Sequence, residues 1–342
     1  MAQLADHPLA AKLFPHLSAE ALKQHFMAYD GIPAFQSDAM MRACRYMLQH
    51  TVTSFTCSGQ QHLDGTPTLF ISNHRDIVLD SLLLQYQLIT LGLDTTHTVI
   101  GSNLYEMPLM AQLARVNKMI GIPRHSGGKA FYHSMMQLSA LLRQLVCDQH
   151  QSVWIAQRNG RTKDGIDRTD PALVKMIARS GSDPVSALHS LHITPLSISY
   201  QWEPCGPQKA RELCLRRQGP YTKIPGEDTQ SILSGLTAFK GHIHLTVCPP
   251  LTLPELQATQ GQPAHVARLI DSRIALGYHR FDTATFAAHL LAGTLLPSTP
   301  PAQQFLHYLD QACASNPGLP HYRRTLLSIY AGIPCPDGDP QA

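Results

Sequence analysis

The sequence predicts an α/β fold, a largely parallel sheet flanked by helices, with a helical segment before it and a helical cap after it. Three observations lead there. Short apolar runs of β type alternate with helix-length segments from Thr68 to Cys248, the pattern of strands joined by crossover helices. The strands are apolar along their whole length rather than on alternate positions, so both faces of the sheet must be covered. Past about residue 280 the β-type runs stop and only helical segments remain. The divisions predicted are an N-terminal helical segment over 1–50, an α/β core over 51–280, and a helical cap and tail over 281–342.

In chain order, Ser18 is placed as the N-cap of a helix over Ala19 to Tyr29, because its hydroxyl can take one of the amide protons that the first turn leaves free. Gly31-Ile32-Pro33 reads as a break, and Ser37 to Gln49 as a second helix. Strands are expected at Thr68 to Ser72, Thr98 to Gly101, Met119 to Ile122, Ser152 to Ala156, Ile193 to Tyr200 and Ile243 to Cys248. A helical run is expected over Ile77 to Leu84, and another helix is expected to start near Lys129. The cap helices are expected at Thr283 to Thr294, Ala302 to Ala314 and His321 to Tyr330, separated by proline-containing breaks.

Composition narrows the function. A chain of 342 residues that is 44% hydrophobic and 15% charged can bury a substantial core. Its eight cysteines form no C-x-x-C pair, and no basic and apolar signal segment stands at the start; the expectation is reduced thiols in the cytoplasm. No run approaches the roughly 18 apolar residues that span a bilayer. A net charge of +3 argues against a nucleic-acid binder. The charge is uneven, however: Arg115 to Lys175 holds ten Lys/Arg against four Asp, a local anion-attracting surface.

The candidate chemistry begins at Ser72-Asn73-His74-Arg75-Asp76-Ile77-Val78-Leu79-Asp80, which puts His74 at a strand-to-helix junction, where ligands bind in open α/β sheets. Imidazole can take a proton from an alcohol when a carboxylate holds its other ring N–H; Asp80 and Asp76 are both in range. Arg124, Arg158, Arg161 and Lys163 fall close to predicted strand ends, where they could clamp a phosphorylated acceptor by charge-assisted hydrogen bonds. Pro123 to Ala130 has the outline of a phosphate loop but lacks its first glycine and the Ser/Thr after the lysine, so no nucleotide site is assigned. His242 and His244 share a strand face without a third ligand, so no metal is assigned either.

The run around His74 resembles the His-x4-Asp motif of the glycerol-3-phosphate and 1-acylglycerol-3-phosphate (lysophosphatidate) acyltransferases, with five residues rather than four before Asp80. Three further blocks are similar, in that family's order. Asn117-Lys118-Met119-Ile120-Gly121-Ile122-Pro123-Arg124 resembles the second, an apolar strand ending in a phosphate-contacting arginine. Ser152 to Gly165 resembles the third, with Arg158-Asn159-Gly160-Arg161 where the family has Glu-Gly-Thr-Arg or Glu-Gly-Arg; Asn159 stands in place of the glutamate. Ile193 to Tyr200 resembles the fourth, in which Pro195 would help to shape an acyl pocket.

The resemblance implies an O-acyltransferase of phospholipid biosynthesis. His74 would be the general base, oriented by Asp80 or Asp76, and Arg124, Arg158, Asn159, Gly160, Arg161 and Lys163 would bind substrate. The co-substrate would be acyl-CoA or acyl carrier protein, the acceptor glycerol 3-phosphate or a lysophospholipid, with no metal and no bound cofactor. The enzyme would sit peripherally on the cytoplasmic face of the membrane. Asn159 motivates a reading of a different class, a non-catalytic lipid or acyl-carrier binding protein on the same fold.

Overall fold

The computed structural model describes residues 2–6, 8–123 and 128–334. Seven strands form one sheet: β1 Val52–Ser58, β2 Leu69–Ser72, β3 His97–Gly101, β4 Met119–Ile122, β5 Val153–Ala156, β6 Thr194–Tyr200 and β7 Gly241–Val247. Their order is β1-β7-β6-β2-β5-β3-β4. Only β6 and β7 run antiparallel, so the sheet is mixed but mostly parallel and helices flank it, as the sequence predicts.

Strand β1 is the element that sequence reading does not supply. Its β-branched Val52, Thr53 and Thr56 favour a strand, but it follows the helix Met41–Thr51 without a break and lies at the sheet edge, only partly buried. It therefore carries no continuous apolar run. The predicted break at 31–33 is instead a helix start. Gly31 takes a left-handed φ of +91° and Pro33 falls in the first turn, where an amide proton has no intrahelical partner to lose. Helical structure then continues over 31–51, through a wide turn at Gln36–Met40. Ser18 caps the helix Ala19–Met27, accepting from the Ala21 amide at 3.2 Å.

Alternation along the central strands gives the sheet two different faces. Phe70, Trp154, Leu196, Ile198, Tyr200, Ile243 and Leu245 pack against Cys44 and Met47 of the helix Met41–Thr51 and against Leu79, Leu83, Leu84 and Leu88 of the helix Leu79–Thr90. Leu69, Ile71, Val99, Val153 and Ile155 pack on the other face, against the helices Gly128–Arg143, Pro171–Ala178 and Pro263–Gly277. Beyond the sheet, the helices Asp282–Leu291, Pro300–Ala314 and Tyr322–Ala331 close with Gly206–Gln218 around Trp202 and Phe305.

The cap is also fastened to the core by hydrogen bonding and close approach. The Tyr330 hydroxyl accepts from the Glu203 amide at 3.2 Å. Gly165, at φ +81°, lies so near the Ile329 carbonyl that any side chain there would overlap it. No helix among the described residues is long and apolar enough to cross a membrane.

Candidate active site

His74 stands two residues beyond the end of β2, and the turn after it decides which carboxylate can reach it. The helix begins at Leu79 rather than at Ile77, with 76–78 as a bend, so the extra residue before Asp80 is taken up before helical geometry starts. Asp80 then turns back on the chain. Its Oδ2 accepts from His74 Nδ1 at 2.9 Å, the Arg75 amide at 2.7 Å and the Asp76 amide at 2.9 Å. Its Oδ1 accepts from the Tyr200 hydroxyl at 2.7 Å. With Nδ1–H donating to Asp80, the lone pair belongs to Nε2. Asp80 is buried at 2% exposure, while His74, at 9%, keeps an edge toward solvent.

Asp76 has another task. Its Oδ1 accepts from the Val78 and Leu79 amides, both at 2.9 Å, and so caps the helix that carries Asp80. Asp80 thus takes the Asp76 amide while Asp76 takes the amides of Val78 and Leu79, so the two carboxylates together satisfy the backbone donors of the turn. The other Asp76 oxygen is buried and meets no donor among the described residues. Burial, and then the Asp80 charge, push its carboxyl above the usual range.

The helix Glu227–Thr237 lies directly over that oxygen. A Cβ built on Gly235 would overlap Asp76 Oδ2 and stand 3.0 Å from Cγ. Asp76 cannot swing aside without releasing two amides. Gly235→Ala should therefore lower stability by about 1–3 kcal/mol through overpacking, more than the roughly 1 kcal/mol that alanine gains in helix propensity. Urea unfolding would show this, and a stabilised variant would mean that the helix is not seated on Asp76.

Beneath the base, the Trp154 ring meets the imidazole edge to face, with centroids 5.8 Å apart. A buried ion cluster also holds the turn. Arg75 donates to Asp167 at 2.7 Å, to Gly165 O at 3.2 Å and to Glu203 at 3.4 Å, and lies over the Tyr278 ring. Lys209, 2% exposed, donates to Glu203 and to the Arg75 carbonyl, both at 2.6 Å. Asn73 spans β2, Asp167 and β6, giving its amide to Asp167 and the Ile198 carbonyl and accepting from the Ile198 N–H.

The predicted substrate residues divide into groups. The loop after β5 is tied to the base itself, since the Thr162 amide donates to the His74 carbonyl at 2.6 Å. Arg161 Nη2 donates to Ser231 at 3.3 Å, while its Nη1 and the Arg158 Nε are buried without an acceptor among the described residues. Gly160 takes φ +78°, which lets the loop turn between the two arginines, and Asn159 is exposed.

Lys163 does not join this pair. It is bound to Glu212, which Arg216 also holds, and burial draws its amine down to about 8 against the pull of Glu212. Pro195 is also removed from the base. It pairs with Ile71 in the sheet, three residues before His74, and faces the side away from Trp154 and Leu196. Arg124 lies outside the described residues.

Sequence reasoning missed Trp154, Tyr200, Arg75, Asp167, Glu203 and Lys209. For Trp154 and Tyr200 a signal was present, because both fall in predicted strands and Tyr200 is the last residue of one. Arg75 adjoins the base, but nothing in its neighbourhood names partners 92 and 128 residues away. Among the described residues no group of three His, Cys, Asp or Glu side chains is placed to hold a metal ion.

With this mostly parallel sheet and the His–Asp pair beyond β2, residues 54–199 match the model of the Acyltransferase family. That stretch, which includes His74, Asp80, Arg158 and Arg161, is similar to an acyltransferase domain. Among solved structures, the 1-acyl-sn-glycerophosphate (LPA) acyltransferase PlsC from Thermotoga maritima resembles this chain. The identity is 11%, the match covers 78% of this chain and 86% of that one, and the TM-score is 0.41. No curated protein matches the sequence.

Proposed function

We propose that this protein transfers a fatty acyl group from an acyl thioester, acyl-CoA or acyl carrier protein, to a hydroxyl of glycerol 3-phosphate or a lysophospholipid. The observation that carries the reading is the His74–Asp80 pair at the end of β2, with Nδ1 held by the carboxylate and Nε2 left to act. Nε2 takes the proton of the acceptor hydroxyl as its oxygen attacks the thioester carbonyl carbon. The tetrahedral adduct then collapses, the C–S bond breaks, and the imidazolium returns the proton to the leaving thiolate. One ester and one free thiol result, and no cofactor beyond the acyl donor is required.

The unsatisfied donors of Arg158 and Arg161 are suited to an acceptor phosphate, because a guanidinium recognises it through paired N–H groups. Arg124 is retained as a third candidate from the sequence alone. Lys163, neutralised by Glu212, is not part of this clamp. The exposure of Asn159 leaves the His74–Asp80 geometry independent of it, which favours an enzyme over a binding protein. A lipid acceptor and the basic region from Arg115 to Lys175 support peripheral docking on an anionic cytoplasmic membrane face.

The test offers labelled acyl-CoA and acyl carrier protein with glycerol 3-phosphate, lysophosphatidate and a neutral lysolipid. Ester formation with stoichiometric free thiol is expected, fastest with a phosphorylated acceptor. Tight thioester binding without transfer to any acceptor would replace the enzyme with the binding-protein reading.

A further inference from the structure

We infer that Tyr200 is a positioning residue of the acyl-transfer site, aiming the Asp80 carboxylate at His74 from a strand more than a hundred residues away; the inference rests on His74 being the base. Four groups donate to Asp80, and three of them belong to its own turn: the His74 ring and the Arg75 and Asp76 amides, all on Oδ2. Among the described residues only the Tyr200 hydroxyl reaches Oδ1. Rotation about Cβ–Cγ carries both oxygens together, so a donor on Oδ1, approaching from a different element, adds an independent restraint to the three on Oδ2. Tyr200 is itself fixed. It ends β6, pairs with Ile243 of β7, and is 4% exposed. It lies just past the stretch that resembles an acyltransferase domain, which stops at residue 199.

The chemistry of the link has a direction. A hydrogen bond from Tyr200 draws charge toward Oδ1 and leaves less on the oxygen that faces the imidazole. Removing it makes Asp80 a stronger hydrogen-bond partner for the imidazolium. The other charged groups around this pair are Asp76 and Arg75 on the turn, Arg161 on the loop after β5, Glu203 after β6 and Lys240 before β7, which acts on Asp76 and whose amine burial draws down to about 8. None of them is altered by replacing the tyrosine. Burial, and then the Asp80 and Asp76 charges, push the Tyr200 hydroxyl well above its ordinary value, so it remains a donor throughout the range of an assay.

The experiment compares wild type, Tyr200→Phe, Asp80→Asn and the double variant in acyl transfer across pH. Tyr200→Phe should lower kcat about ten-fold, the loss of one charge-assisted hydrogen bond, leave the acceptor KM unchanged, and move the acidic limb of kcat to higher pH. In the Asp80→Asn background the same change should cost almost nothing further. A fluorinated tyrosine at 200, which keeps the ring and hydroxyl but donates more strongly, should move the limb to lower pH, and this serves where Tyr200→Phe folds poorly. An unmoved limb, or an equal loss of kcat in the Asp80→Asn background, overturns the assignment. If His74→Ala keeps its turnover, the base reading falls instead, whatever Tyr200 does.

Discussion

His74→Ala is expected to lower acyl-transfer turnover by about 10²- to 10⁴-fold, the range for loss of a well-placed general base, while the protein stays folded. The two halves of this expectation have separate causes. The activity half follows from geometry, since Nδ1 is committed to Asp80 and, among the described residues, no second imidazole contacts that carboxylate. The stability half follows from what the ring leaves behind. It gives up one contact with Trp154 and one hydrogen bond, and Asp80 keeps three other donors. A truncation of that kind should cost about 1–2 kcal/mol, which a domain of this size tolerates. Turnover by labelled acyl transfer, read beside a thermal melt, separates the two. Turnover near the wild-type level in the folded variant would remove His74 from the mechanism.

The strand-to-helix turn that creates this geometry was half legible in the sequence. An apolar run followed by His74 and then a helical pattern places an imidazole at a strand end, and periodicity alone gives that much. The choice between Asp76 and Asp80 could not be read from spacing, because it depends on where the helix begins. Three bent residues carry the answer, and bends lack a periodic signal. Lys163 misleads for a related reason. A lysine beside two arginines looks like part of a cationic clamp until the helix Gly206–Gln218 brings Glu212 against it from 49 residues further on. Pro195 lies in the strand the sequence predicts, and the register pairs it with Ile71, on the face away from Trp154. Local composition therefore located the site, and long-range pairing determined which of its charges are free.

That distinction is sharpest at Arg75, and Arg75→Met is expected to destabilise the protein by about 3–5 kcal/mol, because it removes one side of a buried ion cluster and leaves the other. Methionine preserves the packing stem under Tyr278 and deletes the charge. Burial pushes the Asp167 carboxyl up, but the Arg75 guanidinium, with hydrogen bonds from Asn73 and Thr162, outweighs it and holds the group below its ordinary value. A carboxyl whose folded value is depressed contributes stability above its unfolded value, near ~3.9, and that contribution is lost as pH falls through the folded value. Without Arg75, burial acts with much less opposition and Asp167 disfavours the folded state whenever it is ionised. The gap in unfolding free energy between wild type and Arg75→Met should then be widest at neutral pH and narrow below about pH 4. Urea unfolding at pH 7 and pH 4 measures it, and a gap that does not change with pH would mean that lost packing, not the unpaired Asp167 charge, carries the cost of the variant. Because Asn73 and Arg75 flank His74 and both bind Asp167, the same variant should also lose turnover while His74 and Asp80 remain in place.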